Sequence, residues 1–251
     1  MTYTSRKSLL FISMLGEKEL FDTDHFGSLC SSGQEKDWIV EWFGPMAQKM
    51  GFSLSSVDIC RGDTLPEVDN VDCVILGGTM HVVTEDRPWL LALYAWLRHY
   101  RKAGKPLLGI CGGHQLVSTQ LEDGVLDGRA GGTLAGTYEI ELTDLGRQHP
   151  LYEGLSSPPR FNFANYLHVI PSEAQKARVL ARIGESSAIS VDHGNHWYTT
   201  QFHPESRRHV WSCMYEHTDP QHVGNYSDDQ DGAILIQNFL RIASKELNDN
   251  V

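Results

Sequence analysis

Apolar and polar positions follow two different periods along the first half of this chain. Residues 8–15 form a short apolar run, the pattern of a buried strand, whereas residues 37–50 place apolar side chains at helical spacing. Gly44 and Pro45 inside that helix predict a kink or interruption, because proline lacks the amide that a helix interior needs. Residues 52–59 and 72–76 read as two further strands, the second ending in Gly77-Gly78. Pro88 opens a helix through residue 101, with proline at the favoured first position and Gly104 beyond its end. A strand over 106–110 then runs into a helix over 114–120. Such alternation predicts a parallel sheet covered by helices on both faces.

After Gly131 the texture changes. Residues 137–142, Val179–Ile183, 188–191 and 196–202 read as strands separated by turn residues such as Gly194-Asn195, and residues 231–245 as a closing amphipathic helix. These strands are expected to extend the sheet, so the fold class is α/β: a mixed, mainly parallel sheet flanked by helices. Residues 16–36 are polar and aperiodic, which predicts a loop near the functional site. No repeat, low-complexity tract or linker divides the chain, and residues 1–251 are expected to form one domain.

Composition narrows the function. The 251 residues carry a formal charge of −11, with 41% hydrophobic and 21% charged residues, as in an ordinary globular protein. The acidic balance, with no Lys/Arg run, argues against nucleic acid or an anionic membrane as a partner. No apolar stretch approaches the ~18 residues of a membrane span. Arg6 and Lys7 ahead of the first apolar run imitate a signal peptide, but the run is short and Gly16-Glu-Lys-Glu19 replaces a cleavage site. Five cysteines without framework spacing imply reduced thiols and a cytoplasmic setting. Cys60 and Cys73 lie in apolar runs and are expected in the core, as are Trp89 and Trp96; Cys30 and Cys213 suggest no role.

The strongest chemical signal is Lys105-Pro-Leu-Leu-Gly-Ile-Cys-Gly-Gly-His-Gln-Leu116, an apolar strand entering Gly109-Ile-Cys-Gly-Gly113 and then a helix. This is a nucleophile elbow with cysteine as the nucleophile. A residue thrust out on so sharp a turn needs neighbours without side chains, and Gly109 and Gly113 provide them. Cys111 then sits at a helix N-terminus, whose partial positive charge favours thiolate, and the Gly112 amide is free to face an oxyanion.

A cysteine nucleophile needs a proton acceptor within reach. Tyr198-Thr-Thr-Gln-Phe-His-Pro-Glu205 is a strand ending in His-Pro-Glu, so His203 and Glu205 project together, with Glu205 holding the imidazole tautomer. His209, His217 and His222 lie near Asp219, but their spacing matches no zinc pattern, and a solvated loop is the expectation.

Gly-Ile-Cys-Gly-Gly-His-Gln together with Gln-Phe-His-Pro-Glu resembles the class I (triad) glutamine amidotransferases, in particular stand-alone members akin to the amidotransferase domain of GMP synthetase. The resemblance covers nearly the whole chain. It implies a flavodoxin-like fold and a catalytic set of Cys111, His203 and Glu205. Val74-Ile-Leu-Gly-Gly-Thr-Met80 stands where the family has its oxyanion turn, which assigns the Gly78 amide as partner of Gly112; many members have proline where this chain has Thr79. Met80 and Gln115 are expected to hold the glutamine portion of the substrate. Residues 161–171 align with a family segment that grips the α-amino and α-carboxylate groups, here through Asn165 and Tyr166. Ala164 and Tyr166 replace the family's histidine and acid.

The resemblance thus implies hydrolysis of a γ-carboxamide through a cysteinyl thioester. Ammonia would be released to a separate synthetase, with no metal or organic cofactor. Two other readings stand beside it: a γ-glutamyl hydrolase or peptidase acting on a non-glutamine γ-glutamyl amide, and a non-catalytic regulatory subunit.

Overall fold

The computed structural model describes residues 6–249. In the first half, β1 (Lys7–Ser13), α1 (Glu35–Lys49), β2 (Phe52–Asp58), β3 (Cys73–Leu76), α2 (Pro88–Lys102), β4 (Leu107–Ile110) and α3 (Gly112–Gln120) follow one another. Next come β5 (Val125–Gly128), β6 (Leu134–Glu139), β7 (Glu141–Leu142), α4 (Asp144–Gln148), β8 (Arg160–Asn165) and β9 (Leu167–Ile170). The chain closes with α5 (Glu173–Lys176), β10 (Val179–Ile183), β11 (Ser186–Asp192), β12 (Trp197–Thr200), α6 (Arg208–Thr218) and α7 (Gly232–Asp249).

Eight strands form one sheet in the order β2-β1-β3-β4-β12-β11-β10-β7. The first five are parallel and the last three alternate, so the sheet is mixed and mainly parallel. Strands buried on both faces need continuous apolar runs, and every residue of β3 (CVIL) and β4 (LLGI) is buried. The pleat divides β1 between two cores. Leu9 and Phe11 pack with Trp38 and Ile39 of α1 and Phe239 of α7, while Leu10 and Ile12 pack with Leu90, Leu93 and Leu97 of α2 and Leu116 of α3. β4 and β12 lie side by side at the sheet's centre, so residues beyond their carboxyl ends meet where ligands bind in such sheets.

Several expectations change. Pro45 does not interrupt α1. Pro45 and Glu41, whose carbonyl loses its helical partner, are both exposed, so water can solvate the freed group. The strand expected over 137–142 splits at Ile140, whose amide bonds the Pro159 carbonyl instead. Only β7 joins the main sheet; β6 pairs with β8, and β5 pairs with β9, in two small antiparallel sheets. Residues 16–36 hold a short 3-10 turn (Thr23–Phe26) and bury Phe21, Phe26, Leu29 and Cys30, with α1 already begun at Glu35. Cys73 is core, as expected, but Cys60 is half-buried, its thiol bonded to Asp58. Trp89 and Trp96 flank the second core, their indole N–H groups bonded to Glu17 and the Pro66 carbonyl.

A polar hub anchors α3 from behind. Glu122 accepts from Arg101 and Arg178 at 2.9 Å each, and His193 Nδ1 lies 3.0 Å away. His193 bonds Thr199 Oγ1, which bonds Nδ1 of buried His114, both at 2.8 Å. Burial alone would raise the Glu122 carboxyl; His193 and the two arginines outweigh it and hold it below the usual carboxylate range. A depressed folded value means stability present above the unfolded value of ~4.3 and lost as pH falls toward the folded one. Glu122→Ala should cost about 3 kcal/mol in urea unfolding at pH 7, because it strands buried His193 and two arginines. The gap from wild type should narrow once pH falls below the ordinary carboxylate range; an undiminished gap at low pH would refute the electrostatic account.

Candidate active site

Cys111 follows β4 and precedes the first residue of α3, with φ +49° and ψ −102°. Only close packing sustains such a backbone in a residue with a side chain. The glycines permit that packing. A Cβ on Gly109 would lie 2.9 Å from the Gly113 carbonyl oxygen, one on Gly113 2.6 Å from that of Leu76, and one on Gly112 2.7 Å from the Thr79 nitrogen. Cys111 N–H bonds the Thr200 carbonyl at 2.7 Å, and Gly113 N–H that of Gly77 at 3.1 Å.

Gly78, Cys111 and His203 meet at one point: a Cβ on Gly78 would lie 3.1 Å from His203 Cε1 and 3.5 Å from Cys111 Cβ. Among the described residues the Gly78 N–H has no hydrogen-bond partner, and the Gly112 N–H, first in its helix, has no partner within the helix. His203 Nδ1 bonds Glu205 Oε1 at 2.7 Å, both side chains buried, while His203 Nε2 and Glu205 Oε2 have no partner among the described residues. Burial alone would lower the imidazole's pKa. The Glu205 charge and the neighbouring Cys111 sulfur overcome it, so His203 holds its proton well above the ordinary histidine range.

The clamp on His203 was not foreseen from the sequence. Its amide bonds the Asn162 carbonyl at 2.8 Å, Ser206 Oγ bonds its carbonyl at 3.0 Å, and Trp211 donates to Ser206 Oγ while its ring meets the imidazole edge-on. Asn162 Nδ2 also reaches Ser206 Oγ at 3.2 Å. These residues come from β8, the segment just before α6, and α6 itself, and no local pattern advertises them. Gln201 was also missed as a site residue. Its amide nitrogen stands 3.5 Å from Cys111 Sγ, and its oxygen accepts from Gln115 at 3.2 Å.

Of the expected substrate contacts, Gln115 and Asn165 converge: both side-chain amides donate to the Leu167 carbonyl, at 3.4 and 2.9 Å. Asn165 Oδ1 is buried without a partner among the described residues. Tyr166, at the turn between β8 and β9, is 52% exposed. The Met80 amide is already bonded to the Leu15 carbonyl at 2.7 Å, so this N–H is not free to hold substrate. His209, His217 and His222 lie on α6 and the 3-10 turn after it, not in the solvated loop expected. His209 bonds Ser28, His217 stacks on His25 and His222 faces Asp219. Among the described residues no group of three or more His, Cys, Asp and Glu is arranged to hold a metal ion. No helix there is long and apolar enough to cross a membrane.

Comparison with known proteins decides the family. Residues 48–215, which include the elbow and the His-Pro-Glu strand end, match the family model for glutamine amidotransferase class-I. The chain belongs to this family. Curated relatives of this amidotransferase include the imidazole glycerol phosphate synthase subunit HisH of Syntrophotalea carbinolica, 30% identical over 132 residues, covering 45% of the chain and 63% of that protein. The glutamine amidotransferase-like protein YfeJ of Salmonella typhimurium is 27% identical over 178 residues, covering 68% and 73%. For the first two such relatives the chain spans 63% and 61% of their length. Among solved structures, a glutamine amidotransferase from Thermotoga maritima superposes with a TM-score of 0.68 at 16% identity, covering 96% of this chain and 97% of that one. One from Methylobacillus flagellatus gives 0.64 at 15%, covering 97% and 94%. At these identities the structures bear on the fold, which is the α/β class read from the sequence.

The strained elbow has a measurable signature. Cys111→Gly should be more stable than Cys111→Ala by about 1 kcal/mol, since glycine accepts the positive φ that alanine resists. Urea unfolding of the two variants checks this; equal midpoints would mean that the turn stores no strain.

Proposed function

We propose that this amidotransferase hydrolyses the γ-carboxamide of glutamine through a thioester on Cys111 and delivers the ammonia to a separate synthetase. The observation that supports it most is the meeting of three groups: Cys111 on its strained elbow, the Gly78 turn, and the buried His203–Glu205 pair. Cys111 Sγ attacks the amide carbon, and the Gly78 and Gly112 amides receive the tetrahedral oxyanion. His203 passes its proton to the departing ammonia, then takes one from the water that attacks the thioester, releasing glutamate. Glu205 keeps the tautomer and stabilises the imidazolium. Gln115, Asn165 and Tyr166 face the amino-acid end of the substrate, with Met80 contributing through groups other than its amide. We read residues 1–251 as one domain devoted to this half-reaction.

Relatives named as a subunit of imidazole glycerol phosphate synthase, as GMP synthase and as cobyric acid synthase support an ammonia-consuming partner. A second reading, a larger γ-glutamyl amide as substrate, rests on the half-exposed Tyr166 beside Ala164, which leaves that end of the site open and without a charged side chain at either position.

Ammonia release from glutamine by the purified chain tests the mechanism. Cys111→Ala and His203→Ala should lose activity by at least about three orders of magnitude, and Glu205→Gln should retain more than either. A fully active His203→Ala enzyme would sink the scheme. The isolated wild type should work below the ~10⁴ M⁻¹s⁻¹ lower end of ordinary kcat/KM and improve with a partner or a γ-glutamyl amide. If glutamine alone already gives ordinary efficiency, residues 164–166 do not limit it.

A further inference from the structure

We propose that Glu35 is a positioning residue for the His203–Glu205 pair: its carboxyl group faces the free oxygen of Glu205 across a small buried cavity and donates its proton there through one water molecule. This rests on the roles proposed above for Cys111, His203 and Glu205. Glu35 lies in the first turn of α1 and is 6% exposed. A helix-start acid normally sits in water; this one accepts from the fully buried Ser13 hydroxyl of β1 at 2.7 Å. Glu35, His203, Glu205, Ser206, Trp38 and Trp211 share a cavity of about 20 Å³, room for one water with polar partners on its wall. Glu205 Oε2 is buried with no partner among the described residues, and such an oxygen is costly unless something donates to it.

Two carboxyl groups facing one cavity cannot both carry charge cheaply. Glu205 holds the imidazole, so the proton resides on Glu35. Burial pushes the Glu35 carboxyl up to about 8, with Glu205 and Asp58 adding to the rise while Ser13 and His203 oppose it. Cys60, on the far side near Asp58, has its own thiol pushed up by burial and contributes no charge at neutral pH. Protonated Glu35 is a donor. Ionised, it can only accept, and it adds a second buried negative charge beside Glu205. The folded value lies above the unfolded ~4.3, so the sign is opposite to that of Glu122: stability falls as pH rises from there to about 8.

The experiment compares pH profiles of ammonia release from glutamine by the full chain, wild type against Glu35→Gln and Glu35→Leu. The wild type should lose kcat above pH 8, whereas Glu35→Gln, whose amide still donates but cannot ionise, should lack that limb and keep its pH 7 rate within threefold. Glu35→Leu should lose about tenfold in kcat at pH 7 with KM little changed. The same transition should appear, without any substrate, in the rate of Cys111 alkylation by iodoacetamide, because His203 is the charge partner of that sulfur. If Glu35→Gln does not fold, Ser13→Ala serves. It removes the bond that lowers the Glu35 carboxyl and should move the limb upward by half a pH unit or more. A limb unmoved in the folded variants, in both readouts, overturns the proposal. Loss of ammonia release in wild type with the alkylation transition intact counts against the amidase reading and not against Glu35.

Discussion

The backbone of Cys111 is the constraint on which the site depends. A side chain at φ +49° is held only where the surroundings leave no alternative, and such strain costs on the order of 1–3 kcal/mol. Three contacts enforce it: the Cys111 amide tied to β12, the Gly113 amide tied to Gly77, and glycines packed too closely for any Cβ. The same contacts draw Gly78 to Cys111, since Gly77, just past the end of β3, receives the Gly113 amide and is the neighbour of the candidate oxyanion donor. Relaxing the turn would disperse Cys111, Gly78 and His203 together.

A row of ionisable groups then crosses the sheet end, from Glu35 through Glu205 and His203 to Cys111, and burial dominates the first of them. In so dry a region charge survives only in pairs. The His203–Glu205 pair is such a unit, and Glu35 is kept neutral beside it. Behind α3, the Glu122 hub shows the opposite solution: three cationic or protonatable neighbours hold one carboxylate ionised. The fold thus steadies the elbow helix with an ionised acid and the His203–Glu205 pair with a neutral one.

Much of this was legible in the sequence where geometry is local. The strand–glycine–cysteine–glycine turn and the His-Pro-Glu strand end are short, and their chemistry follows from chain direction over a few residues. The parallel half of the sheet was readable for the same reason, because β1, β3 and β4 carry short apolar runs. What was not legible depends on contacts distant in sequence. β5 with β9, and β6 with β8, make two small sheets whose strands pair across long separations, and the alternation of β5, β8 and β9 is too weak to signal strands. The clamp of Asn162, Ser206 and Trp211 joins β8 to α6, and Glu35 fell in the polar run 16–36, where nothing in the sequence brings Ser13 against it. Residues 16–36 misled because their buried side chains, Phe21, Phe26 and Leu29, are irregularly spaced around turns.

This division has a consequence for specificity. The groups assigned to bond-making hang on the central parallel strands, whose packing is shared between two cores and leaves little freedom. Of the groups assigned to the substrate's amino-acid end, Asn165 and Tyr166 sit on β8 and the turn after it, outside the main sheet. Besides the Asn162–His203 bond, Gln115 ties them to the elbow: it reaches the Leu167 carbonyl and, through Gln201, Cys111. Ala164 and Tyr166 lie on this outer layer, where a change alters what is held without disturbing the elbow. A family can therefore keep one reaction and vary its substrate or partner at the small sheets. Gln115 is one contact through which a change in the outer layer would still be felt at Cys111.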